Sequence, residues 1–190
     1  MRLLQHLSFE FIDPQTDFAL LKVDFEANAA KDWLKGKTAF PFIEISTREL
    51  SEGEPVYSFG YPLPEARTSV APEMKISVSE LCPRVTSAIV SSTFERSKPV
   101  MSPQDPLYYV LDKALNYGNS GGPIVAVETG KVHALCSRFQ HVIIPQHHLQ
   151  DDKGRPMPVK IPSLYGVVSG LSNPAIVQKL REKNVPTSSD

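Results

Sequence analysis

The sequence predicts an all-β fold, a barrel or a sandwich, that ends in a single α-helix. Short apolar or alternating segments recur along its 190 residues, 17 prolines and 10 glycines supply turns between them, and helical periodicity is confined to the C-terminus. The length suits one large domain or two small ones.

The expected strands follow one another in two groups. Residues 7–12 alternate apolar and polar side chains, as a half-buried strand does, and residues 18–23 read as a more fully buried strand. One or two helical turns at 27–34 and a short apolar stretch at 40–45 complete the first group. The second group comprises strands at 56–59, 75–81, 85–94, 107–111, 123–127, 132–137 and 164–168, with 123–127 and 132–137 as a hairpin.

Two further segments differ from this pattern. Residues 141–162 form a polar, proline-containing insertion. A C-terminal helix is expected because Ser172 or Asn173 can cap it, Pro174 suits its first turn, and Ile176 and Leu180 lie on one apolar stripe. We expect residues 185–190 to be a frayed tail.

Composition excludes several classes of partner. A net charge of -1 gives no electrostatic reason to expect nucleic acid or an anionic membrane. No apolar run has transmembrane length, and the N-terminus lacks the apolar core of a secretory signal, so the chain would be cytoplasmic if Met1 is the true start. Cys82 and Cys136 have no CxxC partner and read as free thiols, with a bridge between them left open.

The most informative motif is Gly-Asn-Ser-Gly-Gly-Pro at 118–123. Such a cluster also occurs in ordinary loops. A nucleophilic serine, however, needs a base, an acid that orients the base, and donors for the oxyanion. Gly118 and Gly121 would let the turn direct the N–H groups of Gly118 and Ser120 at one point, which predicts an oxyanion hole over Gly118, Asn119 and Ser120.

Asp17 is the candidate for the orienting acid. We expect that acid to be buried at a strand end, and Asp17 directly precedes the predicted strand 18–23. By itself it also reads as a turn aspartate after Pro14. Its combination with the glycine-rich serine motif a hundred residues later favours the catalytic interpretation.

With these residues the chain resembles the chymotrypsin-fold (trypsin-like) serine peptidases, most closely the HtrA-type branch without its PDZ domains. The resemblance extends in order over segments 17–23, 53–62, 85–91, 111–117 and 118–123 and the final strand and helix. It implies a double β-barrel with a C-terminal helix, a polypeptide substrate, no cofactor, Ser120 as nucleophile and Asp17 as the acid. Residues 1–50 would be the end of the first barrel and a linker, 51–171 the second barrel, and 172–190 the helix and tail.

The same resemblance bears on activation and specificity. Asn119 replaces the aspartate with which secreted digestive enzymes bind a newly cut N-terminus, which argues against that activation. Ala114 stands where trypsin has its specificity acid, which favours a small or aliphatic side chain at the cleavage site. Asp112, read first as structural, is assigned to the substrate pocket together with Ala114, Leu115 and Asn116.

The catalytic histidine is the missing element. The resemblance places it before the acid, but only His6 precedes Asp17, and its context does not match. His133 reads as a surface residue, and His141, His147 and His148 read as solvated loop residues rather than a metal site, so no metal is expected. Two hypotheses follow: an endopeptidase whose histidine-bearing part lies upstream of Met1, or a pseudopeptidase that binds peptides or acts as a scaffold. The sequence leaves the oligomeric state open.

Overall fold

The computed structural model describes residues 7–23, 41–62, 83–94, 107–113, 115 and 118–189, with the backbone alone described at 139–149 and 158–164. Several predictions lie outside the described residues: His6, the helical turns at 27–34, the strand at 75–81, and Cys82, Ala114 and Asn116.

Ten strands and one helix form the described structure. The strands are β1 (Leu7–Asp13), β2 (Phe18–Val23), β3 (Ile45–Ser46), β4 (Pro55–Gly60), β5 (Arg84–Phe94), β6 (Tyr108–Leu111), β7 (Pro123–Ala126), β8 (Val132–Gln150), β9 (Pro156–Gly170) and β10 (Thr187–Ser188), and the helix is α1 (Pro174–Glu182). In the described part of the chain, no helix has the length and apolar character needed to cross a membrane. The predicted all-β class with a C-terminal helix is confirmed.

Strands β4 to β9 close into a six-stranded barrel. They pair in the order β8-β7-β4-β5-β6-β9, and β9 returns to pair with β8. Alternating side chains fill the interior: Val56, Val90, Tyr109, Ile124 and Val168 are all at most 1% exposed. This barrel is the scaffold that holds the glycine-rich serine turn, which lies between β6 and β7.

The hairpin β1–β2 packs against the outside of this barrel. Phe18 joins a second apolar cluster with Val125 of β7 and with Ile176 and Leu180 of α1. The remainder of β2 is less buried than the sequence predicted, and Leu21 is 41% exposed. The prediction of a fully buried strand is wrong because only one face of this two-stranded sheet meets the barrel and the helix.

The polar insertion predicted at 141–162 belongs to two long strands instead. β8 and β9 continue their antiparallel pairing well beyond the barrel, as far as the pair Gln150↔Pro156. Asp151 organises the tip of this arm, since its carboxylate accepts hydrogen bonds from the Lys153 and Arg155 backbone N–H groups and from Arg155 Nε. The loop that the sequence predicted is therefore a β-ribbon, in which β8 and β9 satisfy each other's backbone hydrogen-bonding groups.

The residues that follow α1 are ordered, because the chain reverses at the end of the helix and forms a further strand. Asn173 Oδ1 caps the helix by accepting from the Ala175 N–H, as predicted. At the other end Asn184, with φ +54°, forms a Schellman motif, and Val185 N–H donates to Leu180 O at 2.9 Å. The reversed chain then forms β10, which pairs with β3. The expectation of a frayed tail is wrong for residues 185–188.

His133 is buried, at 1% exposure, which corrects the prediction of a surface residue. Its Nδ1–H donates to Arg48 O at 3.1 Å, and Nε2 lies 3.1 Å from Thr129 Oγ1. A neutral imidazole satisfies both contacts, one as donor and one as acceptor. Burial lowers the pKa of His133, and the nearby Arg48 and Lys131 cations act in the same direction. The hydrogen bond to Arg48 O and the Glu54 carboxylate oppose this shift.

We expect His133 to make the stability of the fold pH-dependent. Because its pKa lies below 6.5 in the folded state, the unfolded chain binds the proton first as the pH falls, and the free energy of unfolding decreases below about pH 6.5. Urea unfolding between about pH 7.5 and 5.5 should show a loss of at most about 1.4 kcal/mol per pH unit from this group. His133→Gln, which can still donate and accept, should flatten the profile, and an unchanged profile would contradict the assignment.

Candidate active site

Ser120 lies at the exposed corner of a tight turn that precedes β7. Gly122 N–H donates to Asn119 O at 2.8 Å, and Gly121, the third residue of the turn, has φ +79°. These features define a type II turn, in which the third residue must adopt positive φ. Gly121 N–H also donates to Cys136 O at 2.7 Å, so the turn is attached to β8. The turn thus presents the Ser120 hydroxyl at the surface.

The backbone amides of this turn are available to a ligand. Gly118 has φ +94°, and its carbonyl accepts a hydrogen bond from Tyr61 N–H at 3.3 Å. In the part of the chain that the structure describes, the N–H groups of Gly118 and Ser120 donate to no protein group. Two unoccupied donors next to a serine hydroxyl have the composition of an oxyanion hole.

The turn packs closely against β4, which holds it in place. A Cβ at Gly122 would overlap Phe59 O, and a Cβ at Gly60 would overlap the Asn119 side chain. Asn119 itself is 6% exposed, and its Oδ1 has no hydrogen-bond partner among the described residues. The motif therefore needs glycine at 122 because the backbones of the turn and of β4 approach closely.

Asp17 is held between two buried anchors. Thr16 is 1% exposed and Phe18 is 8% exposed, and Ser169 Oγ donates to Thr16 O at 2.9 Å. The Asp17 backbone has φ +53°, a left-handed conformation that aspartate tolerates better than most residues. Its side chain is exposed, which corrects the expectation of a buried acid. Asp17 lies in the turn before β2, and the side chains of its neighbours Thr16 and Phe18 are the buried ones.

Ser137 of β8 connects Asp17 with Ser120. Its Oγ donates to Asp17 Oδ2 at 2.5 Å, and its carbonyl accepts from Ser120 Oγ at 3.3 Å. Two hydrogen bonds to one residue bring the carboxylate and the hydroxyl within about 10 Å of each other. Sequence reasoning missed Ser137, because its two partners lie far from it along the chain.

A β-bulge sets the orientation of Ser137. Cys136 pairs with Val168 and Arg138 with the adjacent Val167, so Ser137 is the additional residue on β8. Bulges redirect side chains and are common beside active sites.

An open cleft of about 450 Å³ lies beside the Ser120 hydroxyl. It is lined by Phe59, Gly60, Tyr61, Pro83, Arg84, Val85, Gly118, Ser120, Gly121, Gly122 and Pro123. Phe59, Tyr61 and Val85 are exposed, so the cleft offers an apolar wall.

The predicted substrate pocket is only partly described. Asp112 Oδ1 accepts from Ile89 N–H at 2.8 Å, and Asp112 N–H donates to Ile89 O, in keeping with the structural interpretation. Leu115 is 5% exposed and packs in the barrel core against Gly166. Its place in a substrate pocket, like that of Ala114 and Asn116, stays a prediction.

No described histidine side chain forms a hydrogen bond with Ser120 or Asp17. Among the described side chains His133 is the one histidine, and both of its ring nitrogens are occupied by Arg48 O and Thr129. The described residues contain no group of three or more histidine, cysteine or acidic side chains with the geometry of a metal site. Cys136 is a free, buried thiol, and burial raises its pKa.

The closed six-stranded barrel thus carries an exposed serine turn, two backbone amides without a described acceptor, and a carboxylate linked to the serine through Ser137. The chain belongs to the trypsin-like peptidases, because the family model for the trypsin-like peptidase domain matches residues 8–135, more than half of its length. A sequence comparison with curated proteins gives no match.

Solved structures show the same chymotrypsin-like fold. The HtrA-type protease AlgW, in complex with a decapeptide, matches with a TM-score of 0.56 and 17% identity over 94% of this chain. An inactive form of the Rv3671c protease matches with a TM-score of 0.51 and 16% identity over 93% of this chain. The chain covers 41% of the AlgW chain and 65% of the Rv3671c chain.

Replacing Gly121 with alanine should impair the site through backbone conformation alone. A Cβ at Gly121 meets nothing within 4 Å, so the cost arises from its φ of +79°, about 1–2 kcal/mol. Relaxation of the turn should move the Ser120 hydroxyl and amide. In a longer chain that carries the histidine-bearing first barrel and therefore labels rapidly, Gly121→Ala should slow labelling by a fluorophosphonate at least about tenfold.

Gly130 provides the matched control for this variant. It also has positive φ and open space, but it lies in the β7–β8 hairpin turn, away from Ser120. Gly130→Ala should lower the unfolding free energy by a similar amount and leave labelling intact. Equal labelling of the two variants would show that the turn does not position the nucleophile.

Proposed function

We propose that this chain is a serine endopeptidase domain that hydrolyses peptide bonds through an acyl-enzyme on Ser120. One observation carries the proposal: the exposed Ser120 hydroxyl lies beside two unoccupied backbone amides and is linked through Ser137 to the Asp17 carboxylate. Nucleophile, oxyanion donors and orienting acid are three of the four elements of this chemistry.

Each residue has a distinct role in the proposed reaction. Ser120 Oγ attacks the substrate carbonyl carbon, and the Gly118 and Ser120 N–H groups stabilise the oxyanion that develops. Asp17 orients an imidazole, which takes the Ser120 proton and gives it to the leaving amine. Ser137 holds Asp17 in position for this task.

The imidazole must come from outside the described side chains. In the described structure the Ser120 hydroxyl donates to Ser137 O instead of to a base. Without a base the hydroxyl keeps the high pKa of an alcohol and is a poor nucleophile. We therefore propose that these 190 residues alone have negligible peptidase activity, and that a histidine outside the described side chains completes the site.

A polypeptide is the substrate class that we propose. AlgW, which shares the fold, has been solved with a decapeptide and with a tripeptide. Ala114 at the trypsin specificity position favours cleavage after a small or aliphatic residue. Asn119 stands where secreted digestive enzymes have the aspartate that binds a newly cut N-terminus. We therefore propose that the site forms without such a cleavage.

A catalytically inactive peptide-binding module is the second candidate. The observation in its favour is that no described histidine side chain faces Ser120, whereas the cleft beside Ser120 remains open and partly apolar. The two candidates share the cleft and differ in the chemistry of Ser120.

Labelling with a fluorophosphonate serine probe separates the two candidates. The 190-residue chain should label negligibly, since loss of one triad member leaves only about 10³–10⁴-fold acceleration over water. A longer chain that includes a histidine-bearing first barrel should label rapidly, and Ser120→Ala should abolish this labelling.

Two controls make this experiment decisive. Thermal unfolding should show that the Ser120→Ala chain is folded, because Ser120 is exposed. Rapid labelling of the short chain at Ser120 would identify a base within these residues, and His6→Ala would be the first variant to make. A longer chain that bears the histidine but does not label would refute the peptidase proposal in favour of the binding module.

A further inference from the structure

The outer face of β4 and β5 carries apolar side chains where a barrel exposed to water ordinarily has polar ones. Successive residues of a strand point to opposite faces, and Val56, Ala88 and Val90 are among those that fill the barrel interior. The residues that alternate with them point outwards. Five of these outward-facing residues form what we call the apolar strip: Pro55, Tyr57, Phe59, Val85 and Ile89.

The apolar strip is exposed, whereas its continuation on the neighbouring strand is covered. Val85 is 60% exposed, Ile89 45% and Tyr57 40%. On β7 the residue that pairs with Tyr57 is Val125, which is only 8% exposed because it packs in the cluster of Phe18 and α1. Among the described residues, the apolar layer that covers β7 therefore does not extend over β4 and β5. An exposed apolar patch of this kind marks a surface for a binding partner.

One end of the strip belongs to the cleft beside Ser120. Phe59 pairs with Val85 across the two strands, and both residues line that cleft. From there the strip follows β4 back to Pro55, which pairs with Ile89, over about 13 Å for four residues of strand. A polypeptide bound in the cleft can therefore continue onto the strip.

The spacing of the strip suits an extended peptide segment. Side chains on one face of a strand recur at every second residue, about 6.6 Å apart, as Pro55, Tyr57 and Phe59 do. An extended peptide presents its own alternate side chains at the same interval. No member of the strip is charged, so apolar side chains of the peptide are the ones that it favours. The strip is two strands wide, about 5 Å from strand to strand, which fits a single chain better than a membrane surface.

We propose that the apolar strip binds an extended segment of the polypeptide substrate in which apolar and polar residues alternate, outside the residues that react at Ser120. This inference rests on the proposed function, because the polypeptide reaches the strip from the Ser120 cleft. Contact with the strip removes apolar surface of both molecules from water and so favours binding. Substrates that carry such a segment are thereby held more tightly than polar substrates of equal length.

Equilibrium binding of composition-matched peptides tests this inference without requiring catalysis. Three fluorescein-labelled peptides are titrated with the Ser120→Ala chain and followed by anisotropy: one with the core Leu-Ser-Leu-Ser-Leu, its isomer Leu-Leu-Leu-Ser-Ser, and an all-serine peptide, each flanked by Gln. The alternating peptide should bind at least about threefold more tightly than its isomer, because its leucines all contact the strip at once. The serine peptide should bind most weakly.

Two substitutions within the strip but outside the cleft assign the binding to it. Ile89→Thr and Tyr57→Thr keep residue types that suit a strand and remove apolar surface, so each should weaken binding of the alternating peptide about three- to tenfold. Ile12→Thr is the matched control, since Ile12 is 56% exposed on the separate sheet of β1 and β2, and it should leave the affinity unchanged. Circular dichroism and thermal unfolding verify that each variant is folded.

The outcomes separate this inference from the function on which it rests. Equal affinities for the two isomers, no binding of any peptide, or equal effects of Ile12→Thr and Ile89→Thr would overturn the role of the strip. So would a dimer that Tyr57→Thr dissociates, or attachment to lipid vesicles that Tyr57→Thr abolishes, because a second copy or a membrane would then occupy the strip. The proposed function fails by a different measurement, when a histidine-bearing longer chain is not labelled at Ser120 by a fluorophosphonate that carries no peptide.

Discussion

The bulge at Ser137 is the feature on which the candidate site depends. One residue of β8 holds the Asp17 carboxylate with its hydroxyl and the Ser120 hydroxyl with its carbonyl. Asp17 belongs to a separate two-stranded hairpin, whereas Ser120 belongs to the turn before β7. The pairing of β8 with β9 supports this residue, so the long ribbon and the barrel both contribute to the alignment of the Ser120 hydroxyl with the Asp17 carboxylate. The geometry is therefore a property of the assembled fold and of neither segment alone.

The sequence predicted what depends on local chemistry. Periodicity located most described strands to within a few residues, and Asn173 with Pro174 predicted the start of the helix, because a cap and a restricted φ act within one turn. The glycines at 118 and 121 were predicted to adopt backbone conformations that a Cβ disfavours, and both have positive φ. These features require no knowledge of distant residues.

What the sequence did not reveal depends on partners far along the chain. The burial of His133 and the order at residues 187–188 are both decided by contacts with segments more than eighty residues away, such as that of Arg48 with His133. The insertion at 141–162 lacked strand periodicity because β8 and β9 satisfy one another's backbone outside the barrel. Ser137 was missed for the same reason, since its role is apparent only when Asp17 and Ser120 are brought to it.

We propose that the turn at Gly118 to Gly122 holds an oxyanion beside the Ser120 hydroxyl. The most direct test is a crystal structure of a longer chain that carries the histidine-bearing first barrel, after reaction with a phosphonate probe. Phosphorus should be bonded to Ser120 Oγ, and a phosphonyl oxygen should lie about 2.7–3.1 Å from the N–H nitrogens of both Gly118 and Ser120. An adduct on another residue, or a phosphonyl oxygen directed into solvent and away from both amides, would contradict it.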